Sequence, residues 1–113
     1  MHELSIMAEA VRMAVAAAQA AGAKRVTALS LRVGAFSGVV PDALQFAFEA
    51  TAAGTLAENA TLTIEHVPAR FWCEPCQRDF EAARLFAECP QCHTLSRSLR
   101  AGRELELASL EIE

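Results

Sequence analysis

The sequence predicts an α+β fold in which two helices pack on a three-stranded mixed sheet, with an inserted zinc-ribbon-like module of two Cys-x-x-Cys knuckles. Three observations support this fold class. Two segments repeat apolar residues at helical spacing, and three segments alternate apolar and polar residues as half-buried strands do. Two Cys-x-x-Cys motifs lie between the second and the last of those strands. The 113 residues suffice for one small domain that carries such an insertion.

The first helix is predicted over residues 5–21, where apolar residues recur three and four positions apart. Gly22 follows as a helix-ending residue. Because Glu3, Glu9 and Arg12 interrupt the alanine-rich start, we expect no secretory signal, which needs a basic region and an unbroken apolar run. The predicted buried face comprises Ile6, Met7, Ala10, Val11, Ala14, Val15 and Ala18.

A strand and a second helix follow. The segment "RVTALSLRV" places Leu29, Leu31 and Val33 on one side, which is typical of a half-buried strand. After the loop "GAFSGVVP", Pro41 suits the first turn of a helix, and Gly54 suits its end. The apolar face of this helix comprises Leu44, Ala47, Phe48 and Thr51.

The second strand is predicted at "ATLTIEHV", where Leu62, Ile64 and His66 share one face. A strand, a helix and a strand in that order favour a right-handed crossover, in which the two strands are parallel. We therefore expect the first two strands to pair in parallel.

The last strand, "GRELELASLEIE", changes phase along its length. Leu105 and Leu107 occupy odd positions, whereas Leu110 and Ile112 occupy even ones. A shift of one residue would turn apolar side chains to solvent. We therefore predict a β-bulge near residues 108–109 that restores the register.

Residues 69–101 contain all four cysteines and little continuous apolar pattern. We expect them to form a zinc-binding domain inserted into an α/β domain made of residues 1–68 and 102–113. The twelve residues between the two Cys-x-x-Cys motifs have room for a hairpin, with Phe80 and Phe86 as a small apolar seam.

The cysteine spacing indicates a zinc site. Each Cys-x-x-Cys turn brings two sulfurs to one side of a knuckle, and two knuckles supply the four thiolates of a tetrahedral Zn²⁺ site. Disulfides are the first alternative, but they need an oxidising compartment. A redox motif is the second, but it needs no matched copy. Because four thiolates leave no open position, the zinc is expected to be structural. The predicted ligands are Cys73, Cys76, Cys89 and Cys92.

Two histidines lie near the cysteine segment. His93 directly follows Cys92 and is an alternative zinc ligand, but four sulfurs already satisfy the metal. We therefore expect His93 to be a polar residue at the edge of its knuckle. His66 is expected to be a residue near a strand end, since no other candidate ligand lies close to it in sequence.

The chain begins with "MHE", which forms a candidate chelate. The α-amine of Met1, the amide nitrogen between Met1 and His2, and Nδ1 of His2 place three nitrogens in one plane. This arrangement suits Ni²⁺ or Cu²⁺ better than Zn²⁺. The fourth corner is left for the amide of Glu3, for another side chain or for an acceptor. The alternative is that His2 lies at a frayed terminus and binds nothing.

The charge balance opposes a nucleic-acid partner, because the formal charge is -4 and Lys24 is the single lysine. An alternative function is a zinc-ribbon module that docks on nucleic acid or on a transcription or translation complex. Its best support is the spacing of Arg97, Arg100 and Arg103 at every third residue. No apolar run approaches the length of a membrane span, so we expect no membrane partner and a cytoplasmic protein.

The "MHE" start, the segment "RVGAFSGVVPDALQFAFE", the paired Cys-x-x-Cys motifs and the closing "GRELELASLEIE" strand together resemble the HypA/HybF family of hydrogenase nickel-incorporation proteins. The resemblance covers essentially the whole chain. It implies a nickel metallochaperone that carries Ni(II) as cargo for nickel-iron hydrogenase and, in some members, urease. It also implies two partners, namely a nickel-handling GTPase and the hydrogenase large subunit, and leaves a homodimer open.

Matched by motif, the resemblance implies nickel binding by Met1 (through its amine), His2 and Glu3 in the α/β domain. It assigns the structural zinc to the four cysteines. Some members place a histidine after both knuckles, whereas this chain has Gln77 after the first. No enzymatic activity is expected, because "GAFSG" lacks the Gly-Lys-Ser/Thr of a phosphate-binding loop.

Overall fold

The computed structural model describes residues 3–113, so Met1 and His2 of the predicted nickel site lie outside the described residues. Two helices and eight strands follow one another within residues 3–113, and the fold is the predicted α+β class. The elements are α1 (Glu3–Ala20), β1 (Val26–Gly34), α2 (Pro41–Ala52), β2 (Thr61–Val67), β3 (Arg70–Cys73), β4 (Arg78–Glu81), β5 (Ala87–Glu88), β6 (Leu95–Ser96), β7 (Leu99–Ala101) and β8 (Leu105–Ile112).

The main sheet has the strand order β2-β1-β8. Strand β1 pairs with β2 in parallel and with β8 antiparallel, so Leu31 lies opposite Ile64 on one side and Leu107 on the other. This confirms the predicted mixed sheet and the parallel crossover.

The β-bulge predicted in the last strand is confirmed. Ser30 pairs with Ser109 and Leu31 pairs with Leu107, so Ala108 has no counterpart in β1. Because of this extra residue, apolar side chains on both sides of the bulge pack against the same core.

Both helices contribute their predicted apolar faces to that core, and α1 begins two residues earlier than expected. Gly22 ends α1 as predicted, with φ +72°. Its N–H donates to the carbonyl of Gln19 at 3.1 Å, and the N–H of Ala23 donates to that of Ala18 at 2.9 Å. The buried helix residues are Met7, Ala10, Val11, Ala14, Ala18, Leu44, Ala47, Phe48 and Ala52.

A second cluster of buried residues lies among β3, β4, β7 and the β5-β6 hairpin. Phe71 and Phe80 stack in it with ring centroids 6.0 Å apart. The prediction for Phe86 is wrong, because this side chain is 57% exposed. Phe86 has φ +56°, and the next residue, Ala87, is the one buried in the cluster.

The end of β1 joins the two clusters. The N–H of Ala35 donates to the carbonyl of Val67 at 2.9 Å, and the N–H of Phe36 donates to that of Gly102 at 2.6 Å. These bonds reach both connections between the main sheet and residues 69–101. The ring of Phe36 packs against the second cluster, 6.3 Å from the ring of Phe71.

Across residues 3–113, neither helix has the length and apolar character needed to span a bilayer.

Candidate metal centre

The structure brings the four cysteine sulfurs together, all within 4.8 Å of one another. Cys73 ends β3 and its Sγ lies 3.4 Å from that of Cys92, while the Sγ atoms of Cys76 and Cys89 are 3.9 Å apart. A tetrahedral zinc with Zn–S bonds of about 2.3 Å would hold its sulfurs about 3.8 Å apart. The donor set and its spacing therefore fit a zinc ribbon.

The two knuckles share one backbone feature. Gln77 and His93 each follow the second cysteine of a motif, and both adopt a left-handed conformation, with φ +53° and +62°. The N–H of Gln77 donates to the carbonyl of Glu74 at 3.3 Å, and that of His93 donates to the carbonyl of Cys89 at 2.9 Å. The two turns thus share a left-handed residue but close with different hydrogen bonds, which reach three residues back at Gln77 and four residues back at His93.

The sulfurs differ in their environment. Cys73 and Cys89 are buried, Cys76 is half-buried and Cys92 is exposed. The hydroxyl of Thr94, 3.2 Å from Cys92 Sγ, and the Thr94 backbone lower the pKa of Cys92 to about 6. Cys92 is therefore the cysteine of this group most readily present as a thiolate.

Cys76 shows the opposite behaviour. The side-chain hydrogen bond with Cys92, followed by burial, raises the pKa of Cys76 to about 12. A thiol beside an existing thiolate keeps its proton, because two adjacent negative charges repel each other. A bound cation would remove this conflict by compensating the negative charge.

His66 and His93 do not belong to the cysteine group. Nδ1 of His93 is 2.8 Å from Oε1 of Glu88, and both side chains are exposed. His66 is exposed near the end of β2 and lies opposite Val33 of β1, as expected for a residue near a strand end. Within residues 3–113, the cysteines are the only group of metal-type side chains close enough to share one ion.

Glu3 is the one predicted nickel residue that the structure describes. It is the first residue of α1, and its Oε2 accepts a long hydrogen bond of 3.4 Å from the N–H of Val40. Val40 directly precedes α2, so the Glu3 carboxylate faces the start of the second helix.

Two residues around the cysteines were not singled out from the sequence. Thr94 bonds to Cys92, and Glu88 holds His93. Both lie next to a knuckle in sequence, and this position marks them as candidates for contact with the cysteine group. Sequence position alone does not state which side chain a threonine or glutamate contacts. The turn geometry decides that.

The three arginines behind the alternative function do not form one stripe. The guanidinium of Arg97 lies 4.7 Å from the ring centroid of Phe86, outside any strand. Arg100, in β7, lies 4.5 Å from the ring centroid of Trp72 and 3.9 Å from Asp79. Neighbouring side chains therefore engage two of the three charges separately.

Comparisons with known proteins give a consistent result. A family model described as "Hydrogenase/urease nickel incorporation, metallochaperone, hypA" matches residues 1–112. The chain is 53% identical, over 112 residues and 99% of both chains, to the hydrogenase maturation factor HypA of a Picosynechococcus species.

Two solved structures show the same fold. The solution structure of the Ni metallochaperone HypA from Helicobacter pylori has a TM-score of 0.66 and is 23% identical, covering 99% of this chain and 97% of that one. A second solution structure of a HypA protein has a TM-score of 0.75 and is also 23% identical, covering 100% of this chain and 97% of that one.

The predicted family is thus confirmed over nearly the full length of the chain, and so is the prediction that the protein is a maturation factor and not an enzyme. The chain belongs to the HypA family of hydrogenase and urease nickel-incorporation metallochaperones.

Proposed function

We propose that this protein binds Ni(II) at its amino terminus and delivers it during nickel-iron hydrogenase maturation, with urease as a second candidate target. The observation that carries the proposal is the "MHE" start in a chain that matches a nickel-incorporation family from residue 1 to residue 112. The chelate consists of the Met1 amine, the amide nitrogen between Met1 and His2, and Nδ1 of His2. Three coplanar nitrogens favour Ni²⁺ over Zn²⁺.

We assign the fourth nickel position to the amide nitrogen of Glu3. The Glu3 carboxylate already accepts a hydrogen bond from the Val40 N–H, which supports a role in orienting the first turn of α1. Amides in the first turn have no intrahelical acceptor, so metal binding there breaks no helix hydrogen bond.

We propose Zn(II) as the resident metal of the four cysteines. Zinc would supply a cross-link between the two knuckles, and the four thiolates would fill its coordination sphere. Because these thiols have to stay reduced, a cytoplasmic location suits the protein. The proposed partners are a nickel-handling GTPase and the hydrogenase large subunit.

The test is a nickel titration of the untagged zinc-loaded protein, the same protein acetylated at its amino terminus, and His2→Ala. We expect the first to bind nickel with a diamagnetic, square-planar absorption spectrum, and the other two to lose that spectrum while keeping zinc. His66→Ala is the matched control, because it removes an exposed histidine from β2 and should leave the spectrum unchanged. Unchanged nickel binding after acetylation would refute the chelate.

A further inference from the structure

The β5-β6 hairpin exposes large apolar side chains on its outer face. Ala87 and Ser96 point inward and are buried, so the residues on either side of them point outward. Three of the apolar side chains here are more than half exposed: Leu85 at 57%, Phe86 at 57% and Leu95 at 67%. We call the surface formed by Leu85, Phe86, Leu95 and Arg97 the hairpin face.

A cavity of about 300 Å³ adjoins the hairpin face. It lies between the first knuckle and the segment after the second, where Trp72 and Pro75 face Leu95 and Arg97. Glu74 also lines the cavity, and its Oε2 accepts a hydrogen bond from Nε1 of Trp72 at 2.7 Å. The volume of the cavity suits one bulky apolar side chain, and it opens beside two residue types, tryptophan and arginine, that are enriched where binding energy concentrates.

Arg97 is the charged member of the hairpin face, and Glu88, which lies opposite Leu95 in the hairpin, has its Oε1 2.8 Å from Nδ1 of His93. Arg97 lies over the Phe86 ring, and among the described residues no carboxylate comes within ion-pair distance of it, whereas Arg70 and Arg100 pair with Glu81 and Asp79. Residues 69–101 carry five arginines and four acids, while the rest of the chain carries five basic and ten acidic residues. Residues 69–101 thus carry a formal charge of +1 in a protein whose formal charge is -4.

We propose that the hairpin face docks an acidic segment of a partner protein, in which a bulky apolar residue is flanked by Asp or Glu. The apolar side chain enters the cavity beside Trp72, and a flanking carboxylate pairs with the two-pronged guanidinium of Arg97, which the Phe86 ring holds in place. The proposal is independent of nickel, so its failure would leave the amino-terminal site untouched.

The test uses the nickel-free, zinc-loaded full chain and a blocked ten-residue peptide of Asp, Glu and Leu. Trp72 is the single tryptophan and lines the cavity, so its fluorescence reports occupancy directly. We expect a saturable change in Trp72 emission. A charge-reversed peptide of Lys and Leu should give none, and a peptide of Asp, Glu and Ser should bind about tenfold or more weakly, because it cannot fill the cavity.

Single substitutions test whether the peptide binds at the hairpin face. Arg97→Ala and Leu95→Ser should each weaken binding of the Asp/Glu/Leu peptide by about tenfold or more. Arg103→Ala and Leu4→Ser are the matched controls, because they remove an exposed arginine and a 55% exposed leucine elsewhere. Both variants should bind the peptide with a dissociation constant within about twofold of the parent's. One zinc per chain in each variant shows that the fold is intact.

Three results would overturn the proposal. The first is the absence of a saturable Trp72 response, and the second is binding that neither Arg97→Ala nor Leu95→Ser weakens. The third is tighter binding of a twelve-nucleotide single-stranded RNA that Arg97→Ala abolishes, because the face would then be a nucleic-acid site.

Discussion

At the scale of single residues, the cysteine cluster depends on the polar groups around it as much as on its four sulfurs. Thr94 favours the thiolate form of Cys92, whereas Cys92 in turn favours the thiol form of the neighbouring Cys76. The sulfurs therefore differ in how readily they release their protons to a metal. The side chains that create this difference are the ones that sequence motifs do not specify.

Thr94→Val tests this arrangement by removing the hydroxyl and keeping the shape. The interactions around Cys92 lower its pKa from an ordinary value of 9.0 to about 6. Their contribution to the stability of the folded protein is complete above pH 9 and is lost as the pH falls through about 6. Without them the thiolate is protonated at a higher pH, so acid should displace zinc earlier. We expect the midpoint of zinc release to rise by roughly 0.5 pH unit.

The measurement is zinc transfer to a chromophoric chelator as the pH is lowered. Thr63→Val, at an exposed position of β2, serves as the control and should release zinc at the parent pH. If Thr94→Val and the parent release zinc at the same pH, the hydrogen bond has no influence on the site.

At the scale of elements, periodicity predicted both helices, the three strands of the main sheet and the bulge in β8. The bulge was predictable because the change of phase between Leu107 and Leu110 is local. The contact between the end of β1 and the second cluster was not predictable. Phe36 stands in a loop sequence, and nothing in that sequence states that its ring lies against Phe71.

Gly34, the last residue of β1, tests how tightly this junction is built. A Cβ at Gly34 would lie 2.2 Å from the carbonyl carbon and oxygen of Gly102, and a backbone atom has no flexible end that can move away. We expect Gly34→Ala to lower the free energy of unfolding by about 3 kcal/mol or more. The measurement is guanidinium denaturation of the zinc-loaded protein.

Gly54→Ala is the matched control. Gly54 has φ +76° but open space around its Cα, so an alanine there meets backbone strain without a clash. We expect Gly54→Ala to lower the free energy of unfolding by about 1 kcal/mol. Equal losses in the two variants would mean that the junction relaxes around the added methyl group and is looser than its geometry indicates.

At the scale of the whole molecule, the protein has two buried clusters of unequal size. One contains fifteen buried residues, most of them from the two helices and the main sheet, and the other contains six, two of which are Cys73 and Cys89 of the proposed zinc site. We expect the larger cluster to be stable through hydrophobic burial alone and the smaller one to require a bound metal. This supports the division into residues 1–68 with 102–113 and residues 69–101, which stays a prediction.

Zinc removal tests that division. A strong chelator should abolish the native Trp72 fluorescence and the dispersed amide signals of residues 69–101, while the helical circular dichroism of α1 and α2 changes little. Cys76→Ser should reproduce the effect without a chelator. Loss of the helical signal together with the zinc would show that the two parts fold as one unit.

The sequence by itself determined the helices, the strands of the main sheet, the four cysteines and the family, because these depend on spacing along a few consecutive residues or on the match of the whole chain. Only the tertiary structure decided that Phe36 joins the two clusters and that Glu88 holds His93. It also decided that Phe86 lies outside, beneath Arg97, and not in the seam with Phe80. These contacts depend on turns with positive φ and on chain crossings, which bring together side chains whose proximity no local pattern encodes.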